Sequence, residues 1–266
     1  MRRVVRGFWG PRRESAEALA ERWSTTLLQF ARLLPAAPRP PAAGAPLTPG
    51  APLTTWRTVP AAGDGRPSET VRVPDSADAG TAGADPAGDL RQSLLRAVRA
   101  AQEADGWSAA DGTSLRLLAD TAEGWKIELA GLAGGTPEFL LQSLVATLVA
   151  PDGVPLPDAG LLTAVVEAWD PDHGDAGDRA VTAALKKEAG FKVGTPSVGP
   201  VTYLSPGRAA RVPEPWVARG RRLSGGGLLL EVAEPGDTAA VVRAYRDLKD
   251  AGALEPLPRP LDRPAL

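Results

Sequence analysis

A chain of 266 residues is long enough for one large domain or two small ones, and 30 Lys and Arg against 32 Asp and Glu leave it nearly neutral. It contains no cysteine, which excludes disulfides, a thiolate nucleophile and a Cys-built zinc site. Its start lacks the apolar stretch of a signal peptide, and its longest apolar run, Phe139 to Ala150, is interrupted by Gln142, Ser143 and Thr147. A membrane span needs ~20 apolar residues, so the expectation is a cytoplasmic protein with no membrane segment.

Taken in order, Val4-Val5-Arg6-Gly7-Phe8-Trp9 predicts a strand, ended by Gly10-Pro11. Ser15 is placed to cap a helix whose Leu19, Trp23, Leu27, Phe30 and Leu34 form one apolar stripe before Pro35 stops it. From Pro35 to Gly88, 11 residues are Pro and 7 are Gly, and large apolar groups are too few to offset chain entropy. The expectation for 35–88 is a low-complexity, flexible insertion, with Trp56 packing back on the domain and a short strand at Val71–Val73. Asp89 reads as the cap of a helix carrying Leu90, Leu94, Val98 and Ala101. Leu115–Leu118 and Trp125–Leu129 read as a hairpin around Thr121 to Gly124, and Leu144–Val149 as a further strand.

Asp158 reads as the cap of a helix presenting Leu161, Leu162, Val165 and Trp169. Pro171 breaks that helix, and the residues after it read as a loop. Arg179–Leu185 fits no single element type. Val201–Leu204 predicts a strand, and Trp216–Leu223 with Leu228–Val232 two more, joined through Ser224-Gly225-Gly226-Gly227. The last helix starts at Asp237 and ends at Gly252, and the tail 255–266, with four prolines, is expected to fray. The pattern predicts a single α+β domain over 1–266: a mixed, largely antiparallel sheet with packed helices.

The chain's one histidine, His173, stands among Asp170, Asp172 and Asp175. That grouping first suggests a metal site, but the spacing matches no calcium-binding hand, and Asp satisfying turn backbone accounts for it equally well. Ser197 or Ser205 with His173 and an Asp would make a triad on paper, without any Gly-x-Ser-x-Gly elbow. Gly225-Gly226-Gly227 is followed by no Gly-Lys-Ser/Thr, so it is no phosphate loop. The Arg clusters lack interleaved aromatics, which argues against direct nucleic-acid binding. No cofactor is implied. The charges are nonetheless unevenly placed: Ile127 to Asp178 holds nine acids, and all 30 Lys and Arg lie outside it. A one-sign region of that kind can steer a basic partner.

Several segments together resemble the immunity protein 52 family of bacterial polymorphic toxin systems. They are the opening strand with Trp9-Gly10-Pro11-Arg12 and Glu14-Ser15, the helix end Ala168-Trp169-Asp170-Pro171-Asp172-His173, and Val198-Gly199-Pro200-Val201-Thr202-Tyr203-Leu204-Ser205, with Pro200 where an aromatic is usual. Gly227-Leu228-Leu229-Leu230-Glu231 and the closing helix also fit; 35–88 departs. The resemblance implies an α+β antitoxin, not an enzyme, that neutralises a cognate secreted toxin, a nuclease with a restriction-endonuclease-like domain. On that reading the acidic run opposes a basic nuclease site, with Glu167, Asp170, Asp172 and Asp175 as charge contacts and Trp169 and Tyr203 as apolar anchors. The alternatives are a small hydrolase or metal-dependent enzyme built on His173, and a scaffold that binds partners through its Pro-rich segment.

Overall fold

The computed structural model describes residues 1–34, 55–60, 67–74, 85–120, 124–151 and 153–266. Its elements are β1 (Arg2–Trp9), α1 (Ala16–Leu33), β2 (Thr55–Thr58), β3 (Thr70–Arg72), α2 (Pro86–Gln102), β4 (Thr113–Asp120), β5 (Lys126–Ala133) and β6 (Gln142–Val149). There follow α3 (Asp158–Trp169), β7 (His173–Gly177), α4 (Arg179–Ala189), β8 (Val201–Leu204), α5 (Pro206–Ala209), α6 (Glu214–Val217), β9 (Gly220–Arg222), β10 (Leu228–Glu231) and α7 (Thr238–Asp250). The strands form one sheet in the order β3-β2-β4-β5-β6-β1-β7-β8-β10-β9, antiparallel at every pairing among the described residues. The expected α+β architecture is therefore present. No helix among the described residues is long and apolar enough to cross a membrane.

Two apolar layers form on opposite faces of the sheet. Alternation along β10 shows the division: Leu229 joins the layer under α1, α2 and α3, while Leu228 and Leu230 join the one under α4 and α7. The first layer holds the stripe of α1, whose N-terminus is capped as its sequence suggests, Ser15 Oγ accepting from Ala18 N at 3.2 Å. Trp56 is fully buried in the same layer, so the region 35–88 is tied down where β2 and β3 join the sheet edge. Within that region 35–54, 61–66 and 75–84 lie outside the described residues, as do 121–123 within the expected hairpin and Asp152 of the acidic run. The hairpin itself is present, with Asp120 opposite Lys126.

Several local expectations are corrected. Asp85, not Asp89, caps α2, its Oδ1 accepting from Gly88 N at 3.0 Å, because Pro86 pre-sets the first helical turn. Asp158 lies inside the first turn of α3 and makes no cap bond; its carboxylate turns to Arg3. Trp216 belongs to a short helix, α6, where Pro215 favours helix entry, and only Gly220–Arg222 are strand. Arg179–Ala189 resolves as helix, capped by Asp178. The tail does not fray. Gly10 N donates to Pro264 O at 2.8 Å, Leu261 N donates to Glu138 O at 2.7 Å, and Leu257 and Leu261 are buried.

The largest departure is β7. His173-Gly174-Asp175-Ala176-Gly177 carries no β-branched residue, yet it is a fully buried strand between β1 and β8. Its glycines explain the fit. A Cβ on Gly174 would stand 2.6 Å from Arg6 O, so a larger residue would force neighbouring backbone apart.

Candidate functional site

Helix α3 ends at Asp170, whose φ of 46° and ψ of 60° put it in the left-handed region. Asp tolerates that conformation better than most residues, and Pro171 prevents the helix from continuing. The free carbonyls of the helix end are met by arginines from the N-terminal segment: Arg12 Nη2 donates to Trp169 O at 2.7 Å, and Arg22 Nη1 donates to Ala168 O. Cations here also complement the negative end of the helix dipole. Trp169 is fully buried, stacked on Trp9 at 5.4 Å and edge-on to Trp23 at 5.3 Å, and its Nε1 donates to Thr26 Oγ1 at 2.8 Å. The two motifs Trp9–Ser15 and Ala168–His173, far apart in sequence, are thus one packed junction.

Asp172 extends the junction to the third motif and to the C-terminus. Its carboxylate has no solvent exposure. Arg208 Nε and Nη2 donate to Oδ2 at 2.9 and 2.6 Å, while Ser205 Oγ and Leu266 N donate to Oδ1 at 3.2 and 3.0 Å. Burial opposes its ionisation, but the hydrogen bonds from His173 and Arg208 and the Arg208 charge outweigh that and hold the carboxyl well below its usual range. Arg208 is equally sealed and spends its Nη1 on Ala253 O at 2.8 Å.

Four further acids of the run pair with bases from other strands. Arg6 sits opposite Asp175 across the β1–β7 ladder and binds it with Nε at 2.9 Å and Nη2 at 3.2 Å, while Ser197 Oγ donates to the same carboxylate at 2.6 Å. Arg3, itself 1% exposed, lies between Asp158 and Asp178, at 3.0 and 3.2 Å. Glu128 pairs with Arg116 on the neighbouring strand at 2.7 Å. A run without bases is therefore no free acidic face; its charges are largely matched within the fold.

This placement corrects four of the six residues expected to touch a partner. Trp169, Asp172, Asp175 and Tyr203 are buried, the last with its hydroxyl pKa pushed up to about 12 by burial and by the charges of Asp170 and Asp172. Glu167 and Asp170 are exposed, Glu167 accepting a hydrogen bond from Gln29 Nε2 at 3.0 Å. The internal partners Arg3, Arg6 and Arg208 were not legible as such, because nothing in local spacing links residues 36 to 175 positions apart.

His173 is 3% exposed and stacks on Phe8 at 5.3 Å. In a Ser-His-Asp triad the imidazole lies between hydroxyl and carboxylate. Here the order is different: Asp172 lies between Ser205 Oγ and His173 Nδ1, the latter at 3.4 Å. The cavity bordering His173, Asp172 and Arg208 measures about 10 Å³, room for at most one water. Among the described residues no group of three or more His, Cys, Asp or Glu side chains could hold a metal ion. Burial lowers the His173 pKa, the Arg208 charge adds to that, and the Asp172 and Asp175 carboxylates oppose it.

A lowered folded-state pKa means that the unfolded chain takes up a proton first as pH falls. Stability is therefore expected to decline as pH drops through about 6.5, the ordinary imidazole value. His173 is the chain's one histidine, so His173→Gln should flatten urea midpoints measured between pH 5.5 and pH 7.5.

No protein-family model matches the chain and no curated protein does, so the resemblance to the immunity protein 52 family is carried by its motifs alone. Among solved structures the chain is similar to the Pseudomonas aeruginosa T6SS protein PA0821, at 14% identity over 98% of this chain and 78% of that one, with a TM-score of 0.47.

Proposed function

We propose that this protein acts by binding rather than catalysis, as an immunity protein that engages and neutralises a cognate toxin domain. In the reading that its motifs imply, the target is a secreted nuclease with a restriction-endonuclease-like domain. It works in the cytoplasm of the producing cell, where a chain without cysteine has no disulfide for a reducing compartment to open. It holds no nucleic acid and no cofactor of its own. The observation that carries this reading over the hydrolase alternative is the state of His173. The one imidazole is buried, paired with a carboxylate already committed to Arg208, and borders no space for a substrate.

Of the expected contacts, Glu167 and Asp170 are the two that a partner can reach. Co-expression with the toxin domain encoded beside this chain, followed by size exclusion and a nuclease assay across the peak, tests the proposal. A stoichiometric complex without nuclease activity is the expected result. Separate elution with full nuclease activity would reject it. Glu167→Gln together with Asp170→Asn, which keeps a residue suited to the left-handed cap, should slow association about two- to tenfold at low salt and leave dissociation nearly unchanged. His173→Gln should protect as well as the unsubstituted protein.

A further inference from the structure

The sheet ends at β9, and that edge is open among the described residues. Leu223 N donates to Gly227 O at 2.9 Å, and β9 pairs with β10 in the register Arg222–Leu228, Arg221–Leu229 and Gly220–Leu230. In an antiparallel ladder, directly opposed residues alternate between exchanging hydrogen bonds and turning their backbone groups away from each other. Counting from Leu223, Arg221 bonds inward to Leu229, while the N–H and C=O of Arg222 and Gly220 point outward. No group among the described residues takes up those outward donors and acceptors. An edge of this kind is a template for one more strand.

The side chains define what that strand must carry. Arg219, Arg221 and Arg222 are exposed, and none has a carboxylate within ion-pair distance among the described residues. Arg219 lies over the Trp216 ring at 5.1 Å, Arg221 Nη2 donates to Thr163 Oγ1 at 3.4 Å, and Arg222 Nη1 donates to Gly226 O at 3.2 Å. Successive strand residues project to opposite faces, so Arg221 lies on the α3 side and Arg222 on the other. Beside Arg221 a shallow groove of about 300 Å³ runs along α3, with exposed Arg32 on its wall and Glu167 as its one carboxylate. The acid of the adjoining strand, Glu231, stands at the end of β10 away from Arg222.

A second copy of this chain fits the edge badly, because β9 against β9 sets arginine against arginine, and like charges directly opposed are unfavourable. A strand of opposite charge satisfies the backbone and the arginines together. We propose that β9 receives an extended segment of the toxin partner by strand addition, with two successive acidic residues of that segment opposite Arg221 and Arg222. Main-chain bonds to Gly220 and Arg222 supply affinity, and the two acids, one to each face of the sheet, supply register. The assignment rests on the toxin-binding reading above and gives that reading a place on the surface. The groove from Arg221 to Glu167 joins this edge to the exposed acid near the end of α3, so one face carries both.

Amide hydrogen exchange tests it first, followed residue by residue on the chain alone and with the co-encoded toxin domain. The Gly220 and Arg222 N–H groups should exchange freely in the chain alone and become protected in the complex, with Arg221 changing least. A complex that leaves Gly220 and Arg222 unprotected overturns the assignment. Two variants follow. Arg222→Pro removes an outward donor and keeps the β10 ladder, since proline is tolerated where an edge N–H faces solvent. Arg221→Glu with Arg222→Glu reverses the charge. Each should keep its thermal midpoint and bind the toxin domain about tenfold more weakly. Unchanged affinity for Arg222→Pro overturns strand addition, and unchanged affinity for both overturns the edge as a contact, while the inhibitor reading stands. A dimer of the chain alone in sedimentation, abolished by Arg222→Pro, gives the edge to a second copy and overturns the assignment as well. Absence of binding by the unsubstituted protein overturns the inhibitor reading, and the assignment with it.

Discussion

Asp172→Asn, or Arg208→Met, is expected to lower unfolding free energy by about 3–5 kcal/mol, the range for breaking a buried ion pair by removing one partner. Both side chains are sealed, so neither can recover hydration when its partner is lost. The replaced aspartate would leave a guanidinium whose remaining bond is to Ala253 O. The replaced arginine would leave a carboxylate with only Ser205 Oγ, Leu266 N and His173 near it. Removing both charges together, as Asp172→Leu with Arg208→Met, should cost less than either single change, because no uncompensated charge remains. Urea denaturation of the three variants checks this ordering; a double variant less stable than both singles would refute it.

The same pair predicts a pH signature of opposite origin to that of His173. Asp172 has its folded-state pKa depressed below the unfolded value, so its contribution is fully present above the ordinary carboxylate range. It is lost only as pH falls through the depressed folded pKa. Acid unfolding of the unsubstituted protein should therefore show a component below about pH 4 that Asp172→Asn lacks.

The helices were legible because their apolar residues recur with the helical period and their caps lie within three residues of the first turn. Leu19 to Leu34 and Val241 to Leu248 show both signals. The misplaced cap at Asp89 shows the limit of that signal: two aspartates flank Pro86-Ala87-Gly88, and the proline decides which one lies outside the helix. Strand β7 was not legible, because His-Gly-Asp-Ala-Gly has the composition of a turn. Its strand state follows from pairing with β1 and β8 on either side, which overrides local preference. The tail misled for a related reason. Its prolines forbid helix, yet an extended Pro-rich segment can dock on a surface, as Leu257, Leu261 and Leu266 do.

Charge misled most. A base-free run of acids looks like a surface when the chain is considered locally. In three dimensions the β1–β7 register places Arg6 against Asp175, and Arg3 reaches two more acids. Of the run's described acids, Glu138, Glu167 and Asp170 remain exposed. The motifs that carry the family resemblance are parts of the chain that pack against one another, at Trp9, Trp169, Asp172 and Ser205.

Trp169→Ala separates those two roles. As a surface anchor, Trp169 would lose partner affinity on truncation and leave the fold untouched. Fully buried between Trp9 and Trp23, it should instead cost about 3–5 kcal/mol through lost packing and the cavity left behind. For a chain of this size that is a fall of about 6–20 °C in thermal midpoint. Thr26 is not orphaned by the change, since its hydroxyl still donates to Arg22 O at 2.8 Å, so the loss is one of packing and not of an unpaired polar group. Trp169→Phe should be milder, because a ring remains against Trp9. The affinity of the folded fraction for the toxin domain, measured well below the midpoint, should match that of the unsubstituted protein for both variants. A Trp169→Ala protein with an unshifted midpoint and at least tenfold weaker binding would instead make Trp169 a contact residue. That outcome would require α3 to release its last turn on binding, against the hold of Arg12 and Arg22 on its carbonyls.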